Sequence, residues 1–193
     1  MNLLRAALQA FCRPYVVMGE PPDAAPLIIV ANHSSHLDAP AIVAALPESI
    51  RRRTAVAAAE DYFFSRRLLG LTVTLLVGAF PFPRQGDVGL ARASALLERG
   101  CSVLLFPEGT RSTDGQTHRF RLGIGRLAAA THRPVLPVAV VGSHALWPRG
   151  RKLPRRGRLE VRLGQPWLPC ADLSPTEICE EVQRRVAALR GKV

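Results

Sequence analysis

Short apolar runs that alternate with helical patterns are the feature that most constrains how this chain can fold. Three runs are rich in branched residues and end at turn signals, so they predict buried strands at 26–31, 101–106 and Val135–Val141. Helical patterns lie between them at 39–46, 88–99 and 125–131. The alternation predicts an α/β fold with a mostly parallel central sheet flanked by helices. Ligand sites in such sheets lie in loops at the carboxyl ends of the strands.

The length of 193 residues fits a single domain, which we expect to span residues 1–193. Its predicted parts are an amphipathic N-terminal segment at 1–20, a motif-bearing core at 26–145 and a C-terminal helix at 174–191. Ser174 and Glu177 have the spacing of a capping box at the start of that helix. Hydrophobic residues make up 48% and charged residues 21%, which indicates a chain that folds.

The net charge of +11 indicates an acidic partner, and lipid headgroups, nucleic acid or an acidic carrier protein would each satisfy it. Six of the basic residues lie at 149–158, a run without any acid that is either a solvated loop or a binding surface. Trp147, beside this run, is either a headgroup anchor or an ordinary half-buried tryptophan. Aromatic residues make up only 6% and no nucleic-acid-binding motif is present, so we expect no nucleic acid partner.

Neither a signal peptide nor a membrane-spanning helix is predicted. The longest uncharged stretch, 68–83, contains two Gly and two Pro and is shorter than the roughly 20 apolar residues that a spanning helix needs. The apolar face of the first helix is interrupted by Arg5, and no cleavage site follows it. The four separated cysteines indicate reduced thiols. We therefore expect a cytoplasmic protein that lies peripherally on the inner face of the membrane, in contact with its anionic surface.

Polar residues follow the first predicted strand directly, in the segment N-H-S-S-H-L-D at 32–38. His33 and Asp38 are five residues apart across a turn into a helix, so the carboxylate can reach back to one imidazole nitrogen. A histidine held in one tautomer by an acid is suited to remove the proton of a hydroxyl that attacks a carbonyl. The spacing thus predicts His33 as a catalytic base and Asp38 as the residue that orients it.

Other interpretations of this segment remain open. Asp38 can instead cap the helix, because Ser35 and Asp38 also have capping-box spacing. His33 and His36 can be structural, or they can bind a metal together with Asp38. We expect no metal, because no further ligand cluster or H-E-x-x-H pattern is present. The two serines do not lie in a G-x-S-x-G pattern, so a serine hydrolase is not expected.

A second polar segment, P-E-G-T-R-S at 107–112, follows the second predicted strand. Gly109 permits a tight turn, and Thr110 and Arg111 offer hydrogen-bond donors to an anion. An arginine can donate two parallel hydrogen bonds to phosphate oxygens. The segment therefore predicts a phosphate site, although taken alone it is also typical of an ordinary turn.

Together these two segments resemble the glycerophospholipid acyltransferase family. Its H-x-x-x-x-D motif matches at His33 and Asp38, and its F-P-E-G-T-R-S motif matches at every position of 106–112. Residues 120–123 and 136–138 are similar to two further family blocks, and Gly78 and Arg84 align with another. In that block Pro81 stands where the family has an aromatic residue. The resemblance extends over residues 26–145 and is greatest to members that act on 1-acylglycerol-3-phosphate.

The resemblance implies an O-acyltransferase that moves a fatty acyl group from acyl-CoA or acyl-carrier protein to the sn-2 hydroxyl of 1-acylglycerol-3-phosphate (lysophosphatidic acid). The product would be phosphatidic acid, and no cofactor is expected beyond the acyl thioester co-substrate. His33 would be the base and Asp38 its orienting acid. The substrate-binding residues implied by the resemblance are Arg84, Glu108, Gly109, Thr110 and Arg111. The arginines would hold the acceptor's phosphate, so replacing them is expected mainly to raise the KM for the acceptor.

Two alternative functions remain. A member of the same family can use another acceptor, such as glycerol-3-phosphate or a lyso-aminolipid. A non-catalytic, basic, membrane-binding module is the other alternative, but such a relative is expected to have lost His33 or Asp38, and this chain has both.

Overall fold

A seven-stranded sheet forms the centre of the computed structural model, which describes residues 3–20, 22–23, 26–59, 78–83 and 87–191. The described helices are α1 (Leu3–Phe11), α2 (Asp38–Ala45), α3 (Glu48–Arg51), α4 (Val88–Glu98), α5 (Gly123–Thr131), α6 (Ser143–Leu146) and α7 (Pro175–Gly191). The strands are β1 (Tyr15–Met18), β2 (Ile28–Ala31), β3 (Thr54–Ala59), β4 (Ala79–Phe82), β5 (Ser102–Leu105), β6 (Val135–Val141) and β7 (Leu159–Leu163).

The strand order is β1-β7-β6-β2-β5-β3-β4, and only the β6–β7 pair is antiparallel among the described strands. Strands β2, β5 and β6, which the sequence predicted, lie next to one another at the centre. All four residues of β2 are buried, as expected for a strand covered on both faces. The predicted fold class, an α/β protein with a mostly parallel sheet, is confirmed.

Alternate residues of β2 belong to two separate apolar layers. Ile29 and Ala31 pack in one cluster with residues of α1 and α2, whereas Ile28 and Val30 pack in the other with residues of α4, α5 and α7. Fully burying one isoleucine or valine side chain stabilises the fold by roughly 1.5–3 kcal/mol. The sheet therefore lies between two layers of helices, and the loops lie at the ends of its strands.

The loops that carry the two motifs lie at one edge of the sheet, where the carboxyl ends of the central strands meet. Strands β5 and β6 flank β2 in parallel, so their carboxyl ends lie at the same edge. Strand β7 returns antiparallel to β6, with Val141 opposite Glu160, which places the 142–158 connection at that edge too. We call this the site edge.

The structure also contains elements that the sequence patterns did not predict. Strand β3 is rich in alanine and β4 contains Pro81, and both residue types are poor strand formers. Strand β7 carries Glu160 and Arg162 between apolar residues. Strand β1 lies within the predicted amphipathic segment, and β4 lies within the apolar stretch at 68–83, of which residues 68–77 are outside the described residues.

The apolar face of α1 packs inside the protein. Leu8 is buried in the first cluster, and Leu4 and Phe11 pack against it, whereas Ala7 is exposed. Part of this face therefore contributes to the first apolar cluster. Within the described residues, no helix has the length and apolar character needed to cross a bilayer.

The capping box predicted at the start of α7 is confirmed. The Ser174 N–H donates to Oε2 of Glu177 at 2.8 Å, and the Glu177 N–H donates to Oγ of Ser174 at 3.3 Å. Helix α7 then passes very close to α5, because a Cβ atom placed on Gly125 would lie 1.8 Å from the carbonyl oxygen of Pro175. Only a glycine fits at this contact.

We expect Gly125→Ala to lower the free energy of unfolding by about 1–3 kcal/mol, because the added methyl group must push α5 and α7 apart. Urea unfolding followed by circular dichroism measures this change. Gly191→Ala is the control, since no described atom lies within 4 Å of a Cβ at that position. Equal stabilities of the two variants would contradict the close packing of α5 on α7.

Candidate active site

Asn32 fixes the backbone that leads from β2 into the site. Its Nδ2 donates to the carbonyl oxygen of Val140 at 3.0 Å, and its Oδ1 accepts the N–H of Val140 at 2.8 Å. The side chain thus continues the hydrogen-bond ladder between β2 and β6 where the β2 backbone turns away. His33 follows directly and is held at the site edge.

The carboxylate of Asp38 accepts three hydrogen bonds on a single oxygen. Oδ2 accepts the backbone N–H groups of Ser34 and Ser35, each at 2.7 Å, and lies 2.9 Å from Nδ1 of His33. Asp38 is fully buried, whereas 22% of the His33 side chain is exposed. Because the carboxylate is the acceptor, Nδ1 carries the proton and Nε2 keeps its lone pair. The contact that the orienting interpretation of Asp38 requires is present. Of the capping box, the hydrogen bond from the Ser35 N–H to Asp38 is present, but the N-cap residue of α2 makes no side-chain capping hydrogen bond.

The second motif contacts His33 on its ring and on both sides of its backbone. The ring of His33 stacks on Phe106, with centroids 4.1 Å apart. The His33 N–H donates to Oε1 of Glu108 at 2.8 Å, and the Ser112 N–H donates to the His33 carbonyl oxygen at 2.8 Å. The loops that follow β2 and β5 are therefore joined at His33.

Glu108 is only 6% exposed, and both of its carboxylate oxygens accept backbone N–H groups. Besides His33, the N–H of His118 donates to Oε2 at 3.1 Å. Burial raises the pKa of Glu108, while these two N–H groups oppose the shift. The sequence predicted Glu108 as a substrate-binding residue, but its observed contacts hold two loop segments together. Its direct contact with substrate stays a prediction.

Arg111 lies near enough to His36 to affect its charge state. The pKa of His36 is lowered to about 4, first by burial and then by the charges of Arg111 and His33, against the opposing effect of Asp38. His36 is thus a neutral ring at pH 7. The ring of His36 also packs edge-on against Trp147, with centroids 5.4 Å apart.

The turn at 109–110 presents main chain and a hydroxyl to the surface. Gly109 has a φ of +73°, which favours glycine, and a Cβ there would lie 2.5 Å from Nε of Arg121, so another residue would strain the turn and displace the Arg121 side chain. Thr110 is exposed. Arg84, the other predicted phosphate ligand, lies outside the described residues. In the described part of the chain, no three His, Cys, Asp or Glu side chains are grouped as metal ligands.

Helix α7 holds the long loop after β5 from outside the motifs. The amide oxygen of Gln183 accepts the N–H of Phe120 at 2.9 Å. The guanidinium of Arg190 donates to Oγ1 of Thr117 at 2.6 Å and to the carbonyl oxygen of Gly115 at 2.8 Å. The sequence does not predict these contacts, because an arginine in the last turn of a helix is ordinary and carries no local sign of a distant partner.

This arrangement defines a mostly parallel α/β protein with a histidine–aspartate pair and a predicted anion-binding turn at one sheet edge. Residues 16–141 match the family model described as Acyltransferase. The chain therefore belongs to the acyltransferase family, and the resemblance predicted from the two motifs is confirmed.

Individual relatives agree with this assignment. The chain is 30% identical over 175 residues to 1-acyl-sn-glycerol-3-phosphate acyltransferase BAT2, chloroplastic, of Brassica napus, covering 86% of this chain and 47% of that protein. It is 28% identical over 174 residues to the chloroplastic LPAT1 enzyme of the same name from Arabidopsis thaliana, covering 86% and 46%. The chain thus spans about half the length of these curated relatives.

A solved structure shares the fold. The crystal structure of the 1-acyl-sn-glycerophosphate (LPA) acyltransferase PlsC from Thermotoga maritima superposes with a TM-score of 0.74 at 28% sequence identity. The match covers 90% of this chain and 69% of that chain.

We expect Glu108→Ala to lower the free energy of unfolding by about 1–3 kcal/mol, because the N–H groups of His33 and His118 lose a buried acceptor. Urea unfolding at pH 7 measures the loss. Glu98→Ala on the exposed side of α4 is the control and should change stability by less than about 0.5 kcal/mol. Similar stabilities for the two variants would contradict the role of Glu108 as a clamp.

Proposed function

We propose that this protein transfers a fatty acyl group from acyl-CoA or acyl-carrier protein to the sn-2 hydroxyl of lysophosphatidic acid, giving phosphatidic acid. The observation that carries the proposal is the hydrogen bond of 2.9 Å between His33 and Asp38, at the same sheet edge as Arg111. The relatives named above support the choice of acceptor, since their names specify 1-acyl-sn-glycerol-3-phosphate.

His33 acts as the general base in this proposal. Its Nε2 accepts the proton of the acceptor's hydroxyl while that oxygen attacks the thioester carbonyl carbon. The tetrahedral intermediate then expels the thiolate, which takes the proton from the imidazolium, and the new ester is released. Asp38 stabilises the imidazolium through Nδ1, because its buried charge is poorly screened by water. Base catalysis of this kind contributes about 10²–10⁴-fold in rate.

Arg111 binds the acceptor's phosphate and so places the hydroxyl near His33. Its guanidinium can donate two hydrogen bonds to the phosphate, and the exposed hydroxyl of Thr110 can add another. Arg84 is proposed as a second phosphate ligand on the resemblance alone. Glu108 contributes by holding the backbone of His33 against the loop that carries these donors.

The protein is further proposed to act at an anionic membrane surface, on the cytoplasmic side and without entering the bilayer deeply. The net charge of +11 supports this location, because both the lipid headgroups and the acyl donors are acidic. Nucleic acid is not proposed as a partner, and no cofactor or metal ion is needed for the transfer.

A thioester-release assay tests the function. Purified protein is given acyl-CoA or acyl-carrier protein, with and without lysophosphatidic acid, glycerol-3-phosphate or a lyso-aminolipid. The proposal expects thiol release only with lysophosphatidic acid, accompanied by phosphatidic acid in the lipid extract. Transfer to another acceptor alone would replace the proposed substrate, and the lack of any transfer would favour the non-catalytic alternative.

We expect His33→Ala to lower kcat by about 10²–10⁴-fold, because the imidazole proposed to accept the hydroxyl proton is removed. Asp38→Asn should also lower kcat, because an amide cannot stabilise the imidazolium as a carboxylate does. His132→Asn is the matched control, since His132 ends α5 away from the site edge and asparagine tolerates its φ of +49°. Full activity of His33→Ala, with its fold checked by circular dichroism, would remove His33 from the mechanism.

We expect Arg111→Ala to raise the KM for lysophosphatidic acid by about 10–100-fold with a smaller change in kcat, because a charge-assisted contact to phosphate is lost. Steady-state kinetics at a fixed donor concentration measure both constants. Arg126→Ala on α5, where the arginine pairs with Asp87, serves as control. An unchanged KM in Arg111→Ala would assign phosphate binding to other residues.

A further inference from the structure

A basic loop at residues 147–158 connects α6 to β7 at the site edge. Trp147 begins it, with its ring against His36 and its Nε1–H donating to the carbonyl oxygen of Arg151 at 2.8 Å. The N–H of Arg155 donates back to the carbonyl oxygen of Leu146 at 2.8 Å. The loop is therefore folded against the rim of the site that holds His33.

The basic loop presents six cationic side chains, all exposed, and no acid. Arg158 pairs with Glu160, whereas the other five have no acidic partner within the described ranges. These five are Arg149, Arg151, Lys152, Arg155 and Arg156. The loop thus carries a local positive charge that its own fold does not neutralise.

An apolar side chain protrudes from the middle of this charge. Leu153 is 75% exposed, more than the other exposed large apolar residues among those described. Trp147, which the sequence suggested as a headgroup anchor, is half-buried and uses its ring N–H inside the loop. Leu153 is therefore the side chain that is free to enter an apolar phase.

We propose that the basic loop docks the protein on an anionic lipid bilayer, with Leu153 inserted among the headgroups and the surrounding cations on lipid phosphates. An exposed apolar side chain ringed by cations is typical of interfacial binding, where burial of apolar area and electrostatic attraction add. The inference rests on the proposed function, because the acceptor lipid must be drawn from a bilayer. Docking through the basic loop would place the bilayer next to His33, with the site edge facing the membrane.

The structure also offers matched control positions at the opposite sheet edge. Leu168 is 58% exposed and lies after the carboxyl end of β7, next to the Val135–Trp167 bridge at the start of β6. Three arginines lie at the amino ends of parallel strands: Arg53 directly precedes β3, and Arg99 and Arg133 lie just before β5 and β6. Replacing these three arginines changes the net charge as much as replacing three cations of the basic loop.

Flotation of the full chain with vesicles tests the docking surface. The vesicles are phosphatidylcholine alone or phosphatidylcholine mixed with phosphatidylglycerol, at low and at high salt. We expect wild type to bind only the mixed vesicles, and more tightly at low salt. The triple variant Lys152→Gln, Arg155→Gln and Arg156→Gln should bind about 100-fold more weakly. Leu153→Gln should bind about 10-fold more weakly.

The control variants decide whether the loop or the net charge matters. Leu168→Gln, and the triple variant Arg53→Gln, Arg99→Gln and Arg133→Gln, should bind mixed vesicles within about 2-fold of wild type. Equal weakening in the two triple variants would overturn the docking surface, because only the total charge would then count. Absence of wild-type binding to mixed vesicles would overturn it as well.

Activity assays separate this inference from the proposed function. Vesicle binding by His33→Ala should equal that of wild type. If wild type binds vesicles through the loop but transfers no acyl group, the function fails while the docking surface stands. If wild type acylates a short-chain, water-soluble lysophosphatidic acid and the loop variants bind vesicles normally, the docking surface fails while the function stands. A defect of the triple loop variant with acyl-carrier protein and this soluble acceptor, without vesicles, would assign the loop to the carrier and overturn the proposal.

Discussion

The site depends on one buried oxygen atom, Oδ2 of Asp38. A buried carboxylate is costly unless donors surround it, and here two backbone N–H groups and the imidazole of His33 converge on it. The same contacts fix the turn into α2 and the tautomer of His33. One atom therefore holds both the turn and the imidazole of His33, because the two backbone N–H groups and Nδ1 meet at Oδ2.

The second constraint is that the loops after β2 and β5 are built against each other through main-chain groups. Glu108 and Ser112 hydrogen-bond to the two sides of the His33 backbone, and α7 holds the far part of the same loop through Gln183 and Arg190. The Glu108 and Ser112 contacts reach the backbone of His33, so they require the register of β2 beside β5 as well as the Glu108 carboxylate. The proposed catalytic pair and the proposed phosphate ligand thus lie at one edge as a consequence of sheet topology.

The sequence patterns predicted the features that depend on residues close together in the chain. The apolar runs of β2, β5 and β6 and the spacing of His33 and Asp38 gave the central sheet, the fold class and the candidate base. Strand β3 was not predicted, because its alanines form a strand only where burial on a sheet compensates their low propensity. Strand β4 was not predicted because it contains Pro81, which is tolerated since β4 is the outermost strand of the sheet. The hydrogen bond from Arg190 to Thr117 joins residues 73 positions apart, and no local pattern encodes such a pair.

The distribution of charge follows from the same topology. Glu160 is buried and binds Arg158 and Arg162, whose hydrogen bonds hold its pKa below the usual value, and Arg162 also caps the last carbonyls of α7. On α7, Glu181 pairs with Arg184 and Arg185. These acids neutralise Arg162 on β7, two arginines on α7 and Arg158 at the end of the basic loop, whereas the other five cations of that loop have no acidic partner within the described ranges. Since β7 runs antiparallel to β6, that loop returns to the edge where His33 lies. A parallel β7 would have required a crossover to the opposite edge, so the antiparallel β6–β7 pair is what places the positive surface beside the candidate active site.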